Sequence, residues 1–163
     1  MLEDGELQAI IGTGVPEAFG RNPDIVRLYP DYRTAEMEYY KRTKIFPIMH
    51  TVVIRRDVHE ANPWVALSMY KALARAKEQA YQFLSDMGSP KVSSAWLQPL
   101  LEEEREIIGE DWFPYGIEAN RPSIEALLQY THEHGLTDRR VKLEELFAPS
   151  TLRDIPLSEG QHV

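Results

Sequence analysis

The chain has 163 residues, 26 acidic against 18 basic, a formal charge of -8 and no cysteine. A hydrophobic share of 43% at this length suits one globular domain with a core and excludes a disordered or fibrous chain. The missing cysteines remove disulfides, thiol nucleophiles and Cys-based zinc, the acidic balance without a basic cluster argues against nucleic acid, and no apolar run approaches the ~18 residues of a membrane span.

The opening, Met1-Leu2-Glu3-Asp4-Gly5-Glu6, reads as the last turn of a helix closed by glycine, as if the chain began inside a larger fold. Leu7 to Ile11 then reads as a short strand broken by Gly12-Thr13-Gly14. A Gly-x-Gly after a strand suggests dinucleotide binding, but Glu17 holds the place of the third glycine and Pro16 intrudes, so a tight strand-end turn is the better reading. Between Pro23 and Pro30, Ile25 to Tyr29 is a short strand or extended connector, followed by a helix over 34–42 carrying Met37, Tyr39 and Tyr40. Ile45 to Arg56 is the most strand-like stretch. Ile48, His50, Val52 and Ile54 alternate with Met49, Thr51, Val53 and Arg55, and apolar residues on both faces imply an interior strand.

Asn62-Pro63 starts a long helix that Gly88 stops, with Ala66, Met69, Tyr70, Leu73, Ala76, Ala80, Phe83 and Leu84 as its apolar stripe. Further helices are predicted over 98–108, over 122–134 and, briefly, over 143–147, with a frayed tail after Pro156. Few strands and many helices make an α/β pattern, with too few strands for a complete sheet.

Several side chains are candidates for chemistry. His50, in the predicted strand, is either a hydrogen-bonded core histidine or a pocket acid or base. His132 and His134 point to opposite sides of their helix, cannot share a metal, and suit its C-terminal dipole. His59 and His162 read as surface and tail residues. No His-x-x-x-His pair or Glu-x-x-His pattern is present, so no cofactor is evident and a divalent metal has no support from spacing. Glu102-Glu103-Glu104 reads as a solvated helix face. The connector Trp112-Phe113-Pro114-Tyr115-Gly116 either packs under the domain or lines a ligand cleft. Asn120-Arg121, read as lying just ahead of a helix, presents an amide and a guanidinium suited to a carboxylate, or else caps the helix. Arg33, Arg55 and Arg56 are further carboxylate-binding candidates.

Together these stretches resemble the 4,5-dihydroxyphthalate decarboxylase family. The resemblance lies in Leu28-Tyr29-Pro30-Asp31-Tyr32, Tyr39-Tyr40, the run from Ile45 to Asp57, Asn62-Pro63-Trp64, the run from Trp112 to Arg121, and Glu144-Glu145-Leu146-Phe147-Ala148-Pro149. It extends from about Glu3 to Leu152, and it is specific as a set rather than stretch by stretch. It implies an α/β, partial periplasmic-binding-protein-like type II fold, helix-rich with a small mixed sheet, of which this chain is the C-terminal half. Residues 1–44 would end the second lobe, 45–57 would be the crossover or hinge strand, 58–155 would return helically to the first lobe, and 156–163 would be a flexible tail.

The implied reaction converts 4,5-dihydroxyphthalate to 3,4-dihydroxybenzoate and carbon dioxide. Each ring carboxylate has a hydroxyl para to it, so electron push from that oxygen makes the ipso carbon basic and an acid must protonate it. The retained carboxylate needs a cationic clamp. His50 and Tyr115 are the nominated catalytic residues, as acid or base and as phenol contact. Arg55 or Arg121 is the clamp, with Asn120 beside it and Thr13 as a supporting donor. The expected partner is a small aromatic carboxylate, with self-association, no nucleic acid, no membrane and a cytoplasmic location. Two other readings stand beside this one: a binding protein for a small anion or aromatic acid, and an inactive half-chain lacking part of its cleft.

Overall fold

The computed structural model describes residues 1–89, 92–153 and 155, and divides into two compact units, Met1–Glu38 and Tyr39–Val163. The first unit is built mainly from turns. At its start the amides of Glu6 and Leu7 both donate to the Met1 carbonyl, at 2.9 and 3.2 Å, and Gly5 takes the left-handed conformation (φ +73°) that such a turn requires. Ala18 is its buried residue. The guanidinium of Arg27 lies between two rings, 5.0 Å from Phe19 and 4.7 Å from Tyr32, so its charge is held by aromatic faces.

Helix α1 (Tyr32–Thr43) begins where Asp31 accepts the Thr34 amide at 3.2 Å, and bonding from the Thr34 side chain, then from that amide, lowers the Asp31 carboxyl below its usual range. Lys44, in the left-handed region at φ 58°, ends the helix. An extended segment, 44–55, leads into α2 (Arg56–Ala61), α3 (Val65–Ser85), α4 (Leu97–Ile108) and α5 (Ile117–Glu133). Two single-turn 3₁₀ helices follow, Leu143–Glu145 and Pro149–Thr151. Among the described residues no helix is long and apolar enough to cross a membrane.

The core of the second unit is Ile117, Ile124 and Leu128 of α5 with Leu143, and Ile48, Val141, Phe147 and Leu152 pack onto it. The first two α5 residues are seven apart, so one helix face supplies them, and each buried aliphatic contributes ~1.5–3 kcal/mol. Helix α3 uses alanines instead: Ala66 and Ala74 are its buried residues, which leaves room for neighbours to come close to its backbone. Met69 and Phe83 of the predicted stripe are exposed. Helix α4 is tied to the end of α3 by Gln98, whose amide donates to the Leu84 carbonyl at 3.0 Å, and buries Leu101.

The expected α/β, periplasmic-binding-protein-like fold with a small mixed sheet is corrected here. Among the described residues there is no strand, and the sole bridge joins Phe19 to Asn22. Leu7 to Ile11 is exposed and forms no strand. Residues 45–55 are extended, as their alternation requires, yet extended backbone becomes a strand only when a neighbour supplies the ladder. Among the described residues, the one long-range hydrogen bond of this segment's backbone is from the Phe46 amide to Ser123 Oγ, 3.0 Å, on α5. The segment therefore lies on a helix rather than in a sheet. Its outer residues Met49, Val52 and Val53 are exposed, not interior.

Other boundaries also moved. Asn62 does not cap α3; its amide donates to the Val58 carbonyl and closes α2, which the sequence reading did not anticipate. Helix α5 starts at Ile117, five residues before Pro122, so the proline sits inside the helix. The tail expectation for 156–163 lies outside the described residues.

Candidate functional site

The Tyr39–Val163 unit gathers its densest polar and aromatic contacts where the connector 109–116 meets α3. Lys77 and Tyr81 are four apart on α3, so they share a face. The Lys77 side chain is only 12% exposed, and its Nζ donates to both oxygens of Asp111 at 2.7 Å and to the Phe113 carbonyl at 3.3 Å. An ammonium this far from water needs such a partner, because its desolvation is otherwise uncompensated. The same ammonium lies 4.9 Å from the centre of the Tyr115 ring and 5.4 Å from that of Tyr81.

Tyr81 completes the arrangement. Its phenol donates to Asp111 Oδ1 at 2.9 Å and accepts the Phe113 amide at 2.8 Å. Burial, then the bond to Asp111, pushes the phenol well above the usual tyrosine range, so it remains a donor at any physiological pH. Its ring stacks on Trp112 at 4.1 Å, and the Arg105 guanidinium covers Trp112 at 5.1 Å. Arg105 donates to Ser85 Oγ at 2.9 Å, while its buried Nε makes no hydrogen bond among the described residues and reaches Glu110 only at 3.9 Å. Phe113 and Tyr115 meet edge to face at 6.4 Å, and both are exposed, so they form an open aromatic shelf beside the nearly buried cation.

The connector enters α5 through Gly116 at φ +99°, a conformation that L residues rarely adopt. Asn120 fixes that bend: its amide donates to the carbonyls of Pro114 and Gly116, both at 2.8 Å. Of the residues nominated from sequence, Tyr115 and Asn120 are thus brought together, and Asn120 lies in the second turn of α5 rather than ahead of it. Arg121, beside it, uses Nε, Nη1 and Nη2 on Glu118 and Glu125, and those bonds raise its guanidinium further above its ordinary value.

His50 and Arg55 lie on the extended segment that packs on α5 through Ile48. His50 is exposed and takes part in none of the hydrogen bonds seen among the described residues. Arg55 pairs with Asp57 through Nε at 2.5 Å and Nη2 at 2.8 Å. Thr13 is exposed in the glycine turn of the Met1–Glu38 unit. Arg56 opens α2, and Arg33 is exposed in the first turn of α1. His59 is half-buried in α2, His132 Nδ1 meets the Thr137 carbonyl at 3.2 Å, His134 caps the C-terminus of α5, and His162 lies outside the described residues. Among the described residues no three His, Asp or Glu side chains gather as a metal site would need.

Sequence reasoning missed Lys77, Tyr81, Asp111 and Arg105. The i,i+4 spacing of Lys77 and Tyr81 was a usable signal. Their pairing with Asp111 was not, because it joins residues 34 and 30 apart.

No family model matches the chain. It is similar to the 4,5-dihydroxyphthalate decarboxylase of Comamonas testosteroni, with 34% identity over 158 residues, which is 96% of this chain and 48% of that protein. The chain therefore spans about half the length of the curated relative it matches. Identity at this level across nearly the whole chain supports a family relationship with that decarboxylase.

Proposed function

We propose that this protein is decarboxylase-like and acts on a dihydroxylated aromatic dicarboxylate, converting 4,5-dihydroxyphthalate to 3,4-dihydroxybenzoate and carbon dioxide. The observation that carries the proposal is the 34% identity over 96% of the chain to a protein of that name. The aromatic shelf adds chemical sense, since exposed Phe113 and Tyr115 offer faces and edges to a substrate ring.

In this reading one hydroxyl is held as a phenolate by a hydrogen bond from Tyr115. The oxygen pushes electron density into the ring, and the ipso carbon para to it takes a proton from His50. The bond to the departing carboxylate then breaks, its electron pair restores the aromatic ring, and carbon dioxide leaves. The retained carboxylate is held by Arg55 in preference to Arg121. All three nitrogens of Arg121 already serve glutamates, whereas Arg55 Nη1 takes part in no hydrogen bond among the described residues. Asn120 supports Tyr115 by holding the bend.

The test is incubation with substrate labelled with carbon-13 in its carboxyl groups. Labelled carbon dioxide appearing in step with 3,4-dihydroxybenzoate supports the proposal. Saturable binding without either product makes the protein a binder of aromatic acids and overturns it.

A further inference from the structure

We propose that Lys77 is the positioning residue of this corner: through Asp111, the Phe113 carbonyl and the Tyr115 ring it sets the orientation in which Tyr115 meets a ligand. The inference rests on the reading of Tyr115 as a substrate contact.

Three separate contacts of one ammonium converge on the connector. Asp111 is held at its start, Phe113 at its middle and Tyr115 at its end. Asn120 fixes only the backbone beyond, at Pro114 and Gly116, and leaves the Tyr115 ring without a polar partner of its own among the described residues. The ring faces left to position Tyr115 are Phe113, edge to face, and the Lys77 cation at 4.9 Å. A cation above a ring favours one ring orientation over rotated ones, because attraction to the face becomes repulsion at the edge. Tyr81 reinforces the same geometry from α3, since it shares Asp111 with Lys77 and accepts the Phe113 amide. Lys77 is nearly buried while Asp111 is half exposed, so the cation is the fixed member and the connector is what it fixes.

The experiment compares the wild-type protein with Lys77→Met, Lys77→Arg and Asp111→Asn. The ring signals of Tyr115 are followed by NMR without ligand, and carbon dioxide release is followed with 4,5-dihydroxyphthalate. Lys77→Met keeps the length of the stem and loses the charge. It is expected to shift and average the Tyr115 ring signals, leave the Leu128 and Leu143 methyl signals in place, and lower kcat about tenfold with KM changed less than about threefold. Lys77→Arg is expected to restore both readouts to within about threefold of wild type. If Lys77→Met does not fold, Asp111→Asn carries the comparison, with an intermediate effect on the same signals. Tyr115 signals that stay unchanged, or a normal kcat despite changed signals, overturn the inference. A wild-type protein that releases no carbon dioxide overturns the decarboxylase reading instead, and the ligand-free signals still decide whether Lys77 positions Tyr115.

Discussion

Lys77 and Asp111, 34 residues apart in the chain, meet with the ammonium 2.7 Å from both carboxylate oxygens. This pair, together with the Tyr81 contacts to Asp111, Trp112 and the Phe113 amide, fastens the aromatic connector to α3. It carries a connector whose own residues are too exposed to hold themselves by burial, with Phe113 and Tyr115 both open to solvent.

Removing the anion tests that fastening. Asp111→Ala leaves a nearly buried ammonium with one carbonyl and two ring faces, and is expected to cost ~2 kcal/mol. Half of Asp111 is exposed, which keeps the figure from being larger. Thermal unfolding followed by tryptophan emission should show a Tm about 5 °C lower. An unchanged Tm with unchanged Trp112 emission would separate the pair from the connector.

Gly116→Ala probes the bend into α5. At φ +99° an alanine is strained, and its Cβ would stand 3.2 Å from the Tyr70 hydroxyl. The expected loss is ~1–3 kcal/mol. Gly5→Ala is the control, because its φ of +73° is also left-handed but nothing lies within 4 Å of the added carbon. The Gly116 variant should therefore lose more stability than the Gly5 variant in parallel urea titrations. Equal losses would remove the steric part of the argument.

Leu143→Ala tests the core. Leu143 is 5% exposed and closes the cluster of Ile117, Ile124 and Leu128. Large-to-small changes at such sites cost ~2–5 kcal/mol, so urea unfolding should show a lower midpoint with an unchanged m-value. Leu146→Ala, three residues on at an exposed position, is expected to change little.

Glu145 gives a pH dependence of known sign. Its bond from Arg139, then the Lys142 amide, lowers its carboxyl from 4.5 to about 2. A depressed carboxylate adds stability that is fully present above its unfolded value and is lost as pH falls through its folded one. The Tm difference between wild type and Glu145→Gln should hold at pH 6, begin to shrink near 4.5 and vanish at about 2. A difference that grew on acidification would contradict the pairing.

Most of the helices were legible because their causes are local, although the six-residue α2 was not foreseen. Periodic apolar residues marked α3 and α4, and the stretch carrying Met37, Tyr39 and Tyr40 marked α1. Helix α5 began earlier than expected because Pro122 read as a first-turn residue, although the structure takes it five residues in and forgoes the bond to the Glu118 carbonyl. The strands failed for another reason. Alternation from Ile48 to Arg55 reports which side chains share a face, but says nothing of whether a partner strand exists. The aromatic connector was likewise visible as a cluster, and Tyr115 and Asn120 with it. Lys77, Tyr81 and Asp111 were not, since each looks like a surface residue until folding brings α3 against the connector.

The most direct measurement is proton NMR of the product formed from 4,5-dihydroxyphthalate in deuterium oxide. Protonation of the ipso carbon by an exchangeable acid predicts 3,4-dihydroxybenzoate with one deuterium, on the ring carbon the carboxylate has left, para to the 3-hydroxyl. Replacing His50 by Gln should slow its formation by ~10²-fold or more. No product, or product that carries hydrogen at that carbon, would contradict the account.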